Sequence, residues 1–230
     1  MKAARLIVAM ALGALLYRGG VAAYESAPFE LKVVEVEGNS GRRVTDDQIV
    51  SVAGVRKGAK LLRIGTGDVV RRVLQIPWIE RARVERLLPS TLRISVVERR
   101  PDLVVISSQG PFLVSLDGLV LQQGTESLIG LLDAPLGPLL AGERITSPEF
   151  VNAAAVYRSL PAGIRKSVAA ISAPTIDQTS IRTTGGPSIF YGAAEQVEEK
   201  NFALESLYAG SRPDATIDVR VPSRPAVRSS

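Results

Sequence analysis

Between residues 31 and 101 the spacing of apolar side chains runs from a period of two to a helical period and back, predicting strand, helix, helix, strand, strand. In Lys32–Glu37, Val34 and Val36 lie on one face and Glu35 and Glu37 on the other, as in a half-buried strand. Gly38-Asn39-Ser40-Gly41 is a turn cluster that ends it. Thr45 and Gln48 have capping-box spacing, Ile49, Val52 and Ala53 follow at i, i+3 and i+4, and Gly54 is a stop. A second helix is expected from Thr66 or Asp68, burying Val69, Val70, Val73 and Leu74 and ending before Pro77. Ala82 and Val84 then alternate with charged residues, as do Leu92, Ile94 and Val96 with polar ones, and Leu88-Pro89-Ser90 turns between the two strands. Two helices cover one face of such a sheet. The other face and an edge strand stay in water, and an open edge is a pairing site for another chain.

Pro101 marks a boundary, because proline does not fit a central strand. Beyond it, Phe112, Val114 and Leu116 alternate, and Asp117-Gly118 followed by Leu119-Val120-Leu121 is a hairpin signal. The stretch 128–140 contains Gly130, Pro135, Gly137 and Pro138 and reads as irregular. Helices are expected at Pro148–Leu160, with Ser147 as N-cap, and at Ala194–Ala209, with a buried stripe of Val197, Asn201, Leu204, Leu207 and Tyr208. Strands are expected around 168–171, 179–183 and 188–191. The last strand is expected at Ala215–Val221, with Ile217, Val219 and Val221 inward and Asp218 and Arg220 outward. Residues 222–230 read as a frayed, disordered basic tail.

The N-terminus adds a second kind of pattern. Lys2 and Arg5 precede an uncharged apolar run that includes Leu6, Leu12, Leu15 and Leu16. Extended to Ala23 past Tyr17, Arg18 and the two glycines, it would span about 27 Å as a helix, close to a bilayer core. The positive flank would hold residues 1–5 in the cytoplasm and place everything after 6–23 outside. The alternative is a cleaved signal peptide with Val21-Ala22-Ala23 at the cleavage site. Either gives an extracytoplasmic body.

Composition narrows the chemistry. Among 230 residues there is no cysteine and no histidine, which removes disulfides, thiolate nucleophiles, the Ser-His-Asp arrangement and the commonest transition-metal ligands. The net charge of +5 hides an asymmetry: residues 31–101 hold 15 Lys/Arg and 8 Asp/Glu, a surplus of +7, so the rest sums to −2. A basic face beside a bilayer is drawn to anionic lipid head groups. Nucleic acid is not the expected partner, since the region offers no aromatic stacking platform.

Candidate catalytic features dissolve on inspection. Gly65-Thr66-Gly67-Asp68 has no Lys-Ser/Thr after it and reads as a turn, not a phosphate loop. Asp117 and Asp133 form a conceivable carboxylate pair, but Asp117 is explained by its turn. Trp78, the single tryptophan, is expected to anchor a core. No cofactor or metal is implied.

In order along the chain, Gly38-Asn39, Leu61-Leu62-Arg63-Ile64, Leu74-Gln75-Ile76-Pro77-Trp78-Ile79-Glu80-Arg81-Ala82, Pro89-Ser90-Thr91-Leu92-Arg93-Ile94 and Val97-Glu98-Arg99-Arg100-Pro101 resemble the POTRA domain of the FtsQ/DivIB cell-division proteins. Leu116-Asp117-Gly118-Leu119-Val120, Leu160-Pro161, the Glu-rich helix with Lys200 and Leu204, and the closing Ile217-Asp218-Val219-Arg220-Val221-Pro222 are similar to the family's second domain. The resemblance implies an α+β protein with an N-terminal membrane helix, a β-α-α-β-β POTRA domain at 31–101 and a mixed β domain with two helices at 102–221. It also implies a non-enzymatic, single-pass scaffold of the inner (plasma) membrane at the division septum. Its partners would be divisome membrane proteins, FtsB/DivIC-like and FtsL-like coiled coils, with others at the POTRA domain. The family's partner-pairing strand maps onto Thr216, Ile217, Asp218, Val219, Arg220 and Val221. A POTRA protein of secretion or outer-membrane assembly is the alternative, but no barrel of alternating strands follows.

Overall fold

A computed structural model describes residues 29–229, which divide into two units between Arg99 and Arg100. The apolar segment 6–23, with Leu6, Leu12, Leu15 and Leu16, lies outside the described residues. Among the described residues, no helix is long and apolar enough to cross a membrane.

The first unit follows the expected order. Strand β1 (Val33–Glu37) is followed by helices α1 (Asp46–Ala53) and α2 (Thr66–Val73), then β2 (Ile79–Leu87) and β3 (Thr91–Glu98). Thr45 closes both halves of a capping box: its hydroxyl accepts from Gln48 N–H, and its own N–H donates to Gln48 Oε1 at 2.8 Å. The sheet order is β1-β3-β2, with β1 parallel and β2 antiparallel to the central β3. Leu92, Ile94 and Val96 of β3 are buried, as are Ile49, Ala53, Val69 and Val73 of the helices and Leu31 and Leu61 of the connections. Val52 and Leu74, expected inside, are exposed instead; each sits at the rim of a short two-turn helix. Trp78 is buried, and the Arg43 guanidinium stacks 4.7 Å from the centre of its ring. On the solvated face Arg93 is bracketed by Glu35 and Glu37 at 3.1 and 3.0 Å, and Arg83 pairs with Glu85 at 2.6 Å, so that face neutralises itself.

The second unit is one nine-stranded mixed sheet with helices. Its strands are β4 (Leu103–Ser107), β5 (Gly110–Val114), β6 (Val120–Gln123), β7 (Ile129–Leu132), β8 (Val168–Ser172), β9 (Ser180–Thr183), β10 (Ser188–Phe190), β11 (Ala215–Asp218) and β12 (Ala226–Ser229). They lie in the order β12-β11-β10-β9-β8-β7-β4-β5-β6. The helices are α3 (Pro148–Ser159), a one-turn α4 (Ala162–Arg165) and α5 (Val197–Tyr208), so a short third helix joins the two expected. The core gathers Phe150, Val156, Ile171, Ile181, Ile189, Tyr191, Leu204 and Ile217 from both layers.

Three strands depart from the sequence pattern. The 128–140 stretch carries β7, which pairs in parallel with both β4 and β8 in the middle of the sheet. Of its four residues only Leu131 is buried, and Gly130 lies beside the side chains of Leu132 and Ala170. The apolar run 103–107 forms β4, which no alternation announces because Leu103, Val104 and Val105 are all buried. The tail expected to fray returns instead as β12, antiparallel to β11, with Ile217 opposite Val227 and Asp218 opposite Ala226.

Candidate functional site

The residues expected to bind a partner strand, Thr216–Val221, prove to be of two kinds. Thr216, Ile217 and Asp218 belong to β11, which is paired on both sides: in parallel with β10 (Ile189 opposite Ile217) and antiparallel with β12. Val219 continues that pairing, its N–H donating to Phe190 O at 3.0 Å, and its side chain is buried. Arg220 and Val221 lie in the turn that returns the chain to β12, and Val221 is 56% exposed where an inward position was expected. The reason is local. Asp218 Oδ1 accepts from Arg220 N–H at 3.1 Å, which folds the backbone back on itself, and Pro222 and Pro225 carry the reversal onward. The open edge of the sheet is therefore displaced by one strand, to β12.

A charged corner supports this edge. The Asp218 carboxylate also takes two bonds from the Arg220 side chain, Nε at 3.0 Å and Nη2 at 2.6 Å, and these hold its pKa below the ordinary value although burial works the other way. The same pair raises the pKa of Arg220. The guanidinium lies 5.4 Å from the centre of the Phe190 ring. A cleft of about 430 Å³ opens here, lined by Asp177, Glu195, Lys200, Asp218, Arg220 and Arg228 among others.

Lys200, which the sequence marked only through the resemblance of its Glu-rich helix and with no role assigned, is the centre of the corner. It is only 3% exposed, and its ammonium donates to Tyr191 O at 3.1 Å and Ala193 O at 2.8 Å. Burial lowers its pKa, while the Glu195 and Asp177 carboxylates oppose that shift. From the other side Asn152 of α3 donates to Thr179 Oγ1 at 2.9 Å and Gly192 O at 3.2 Å, and accepts from Ala194 N–H at 2.7 Å. The segment 191–194 is thereby fixed between two buried polar side chains, which is why α5 begins at Val197 rather than at Ala194. Lys200, Ala203, Leu204 and Leu207 follow the i, i+3, i+4, i+7 pattern, a signal that would have placed the lysine on the inner face.

The outer face of α5 completes the site. Phe202 is 76% exposed, and with Ala203, Leu207, Pro222 and Pro225 it lines a shallow, mainly apolar depression beside the β11–β12 turn. An unpaired strand edge, an apolar depression and a charged cleft thus adjoin one another within the second unit. Such a surface can pair backbone to backbone and accept apolar side chains. The carboxylates once considered for catalysis have structural partners: Asp117 accepts from Arg144 Nη1 at 2.7 Å and from the Ser115 hydroxyl, and Asp133 accepts from the Ser172 hydroxyl at 2.6 Å.

Comparison with known proteins bears on both units. Residues 29–99 match the family model described as a POTRA domain, FtsQ-type. The chain is similar to a protein of Mycolicibacterium smegmatis called Cell division protein FtsQ, with 31% identity over 96% of this chain and 62% of that relative. A relative of the same name from Mycobacterium leprae shares 30% over 91% of this chain and 59% of its own length. One from Streptomyces griseus shares 28% over 86% of this chain and 97% of its own length. The chain spans about three-fifths of the length of the mycobacterial relatives it matches.

Proposed function

The chain belongs to the FtsQ family of cell-division proteins, and on that premise we propose that it is a non-enzymatic scaffold of the divisome. In this reading segment 6–23 anchors it in the plasma membrane, the two described units lie outside the cytoplasm, and it acts at the division septum. It holds FtsB/DivIC-like and FtsL-like partners by accepting a strand from them onto its sheet. The observation that carries the proposal is the free outer edge of β12 beside the apolar depression of Phe202, Leu207, Pro222 and Pro225. β11 takes part indirectly, by holding β12, and the Asp218–Arg220 pair shapes the turn between them.

The test uses the alternation of an antiparallel strand, in which successive N–H groups point to opposite neighbours. Of Val227→Pro and Arg228→Pro, one removes a donor aimed at β11 and the other a donor aimed outward. We expect one of the two variants to keep the wild-type unfolding midpoint and to lose co-purification with the coiled-coil partners. If both variants fold normally and retain the partners at wild-type levels, strand addition at β12 is wrong.

A further inference from the structure

We propose that the end of the POTRA unit at which the chain enters is a docking face for an anionic bilayer. The inference rests on the anchor reading of segment 6–23 and deepens it, since it names the surface that touches lipid. Two loops are tied to the entry point. Leu31 N–H donates to Ala59 O and Gly58 N–H donates to Leu31 O, each at 2.8 Å, which fixes the α1–α2 connection beside the entering chain. Lys32 N–H and Val33 N–H both donate to Ser90 O, at 2.8 and 3.3 Å, which fixes the β2–β3 turn on the other side.

Those loops carry the charge. Between Gly54 and Ile64 the chain has Arg56, Lys57, Lys60 and Arg63 and no acidic residue. Lys60 is joined to Glu30 at 3.1 Å, and Arg86 reaches the same end, donating to Ile64 O at 2.5 Å. Beside them Leu88, on the β2–β3 turn, is 60% exposed. The rest of the unit does not share this surplus. Its solvated sheet face is self-neutralised, and at the far end of β1 Asp46 and Asp47 stand near Arg42 and Arg43 in sequence.

Chain geometry places the face. Residues 24–28 separate the apolar segment from Phe29, and five residues reach no more than about 18 Å when fully extended. The entry end is therefore tethered within a short distance of the head groups. The attraction acts within roughly a Debye length of 8–10 Å, and every basic side chain held inside that range adds to it. Leu88 supplies an apolar contact at the same level.

The chain has no cysteine, so a single introduced thiol reports one place. The full chain, labelled at Leu88→Cys with an environment-sensitive dye, is reconstituted in phosphatidylcholine vesicles with and without phosphatidylglycerol, together with a head-group-attached quencher. A label at Asp47→Cys, beyond the far end of β1, serves as the distant reference. Quenching at position 88 should be at least about threefold stronger with the anionic lipid than without it. It should fall to the neutral-lipid level in Arg56→Gln/Lys57→Gln, and in salt near 1 M, where the Debye length is about 3 Å. A chain that stays with the vesicles through an alkaline wash but shows equal quenching at 88 and 47, or no dependence on lipid charge, overturns the docking face and leaves the anchor standing. A chain released by that wash from both kinds of vesicle overturns the anchor reading, and the docking face with it.

Discussion

The Asp218 carboxylate grips the Arg220 guanidinium in a two-pronged pair across a single intervening residue, and so turns the end of one strand toward the start of the next. Because the pair depresses the Asp218 pKa below 3.8, its contribution to stability has a definite sign with pH. It is fully present above 3.8 and is lost as pH falls through the depressed folded value. Urea midpoints taken from neutral pH downward should therefore fall more steeply for the wild-type chain than for Asp218→Asn. Parallel curves for the two proteins would show that the pair adds no pH-dependent stability.

Replacing Lys200 with methionine keeps the volume and removes a charge, yet it should destabilise the second unit. The carbonyls of Tyr191 and Ala193 would lose their donor in a buried place, at a cost of about 1–3 kcal/mol. Equilibrium urea unfolding measures this. A variant as stable as wild type would mean that water replaces the ammonium.

Phe202→Ser is the complementary case. The side chain is exposed, so stability should change by no more than about 0.5 kcal/mol. Partner affinity should drop by about tenfold or more if the depression beside β12 is the apolar part of the dock. Titration of the partner against both proteins separates the two effects. Unchanged affinity would exclude Phe202 from the interface.

Gly38→Ala should damage the POTRA unit selectively. Gly38 has φ of +82°, and a Cβ there would lie 2.2 Å from Val96 O, so the substitution meets both backbone strain and a clash with the central strand. We expect a loss of about 2 kcal/mol or more, read as faster amide exchange in residues 29–99. Exchange rates there that match wild type would mean the turn relaxes at little cost.

The POTRA unit was legible because its signals are local: a capping box, two turns and clear alternation. The second unit was legible only in part, for physical reasons. β4 is buried on both faces over Leu103–Val105 and so needs no alternating side chains, while β7 is a four-residue strand with a glycine inside it and only Leu131 buried. β12 is too short to stand out, four residues behind Pro222 and Pro225, and it exists as a strand because β11 templates it. The candidate site was found one strand away from the free edge, since sequence shows that a segment favours pairing and not which neighbour already occupies it. In α5 the expected stripe runs through Val197, Asn201, Leu204, Leu207 and Tyr208 and leaves out Lys200, which is buried. Its two carbonyl partners come from residues 191 and 193, which no helical periodicity reveals.

The length of β12 sets a time as well as a place. Four residues span roughly 13 Å, enough to template only a few backbone hydrogen bonds with an incoming strand. Each such bond contributes a modest net amount, on the order of 1 kcal/mol. A partner held by this ladder alone would leave quickly, because differences in affinity are expressed mostly in the dissociation rate. Residence is then governed by how well apolar side chains fill the depression around Phe202. On the proposed docking, the strand edge would set the partner's alignment and the depression its dwell time, so the two could be tuned separately, in an assembly that must be taken apart as well as built.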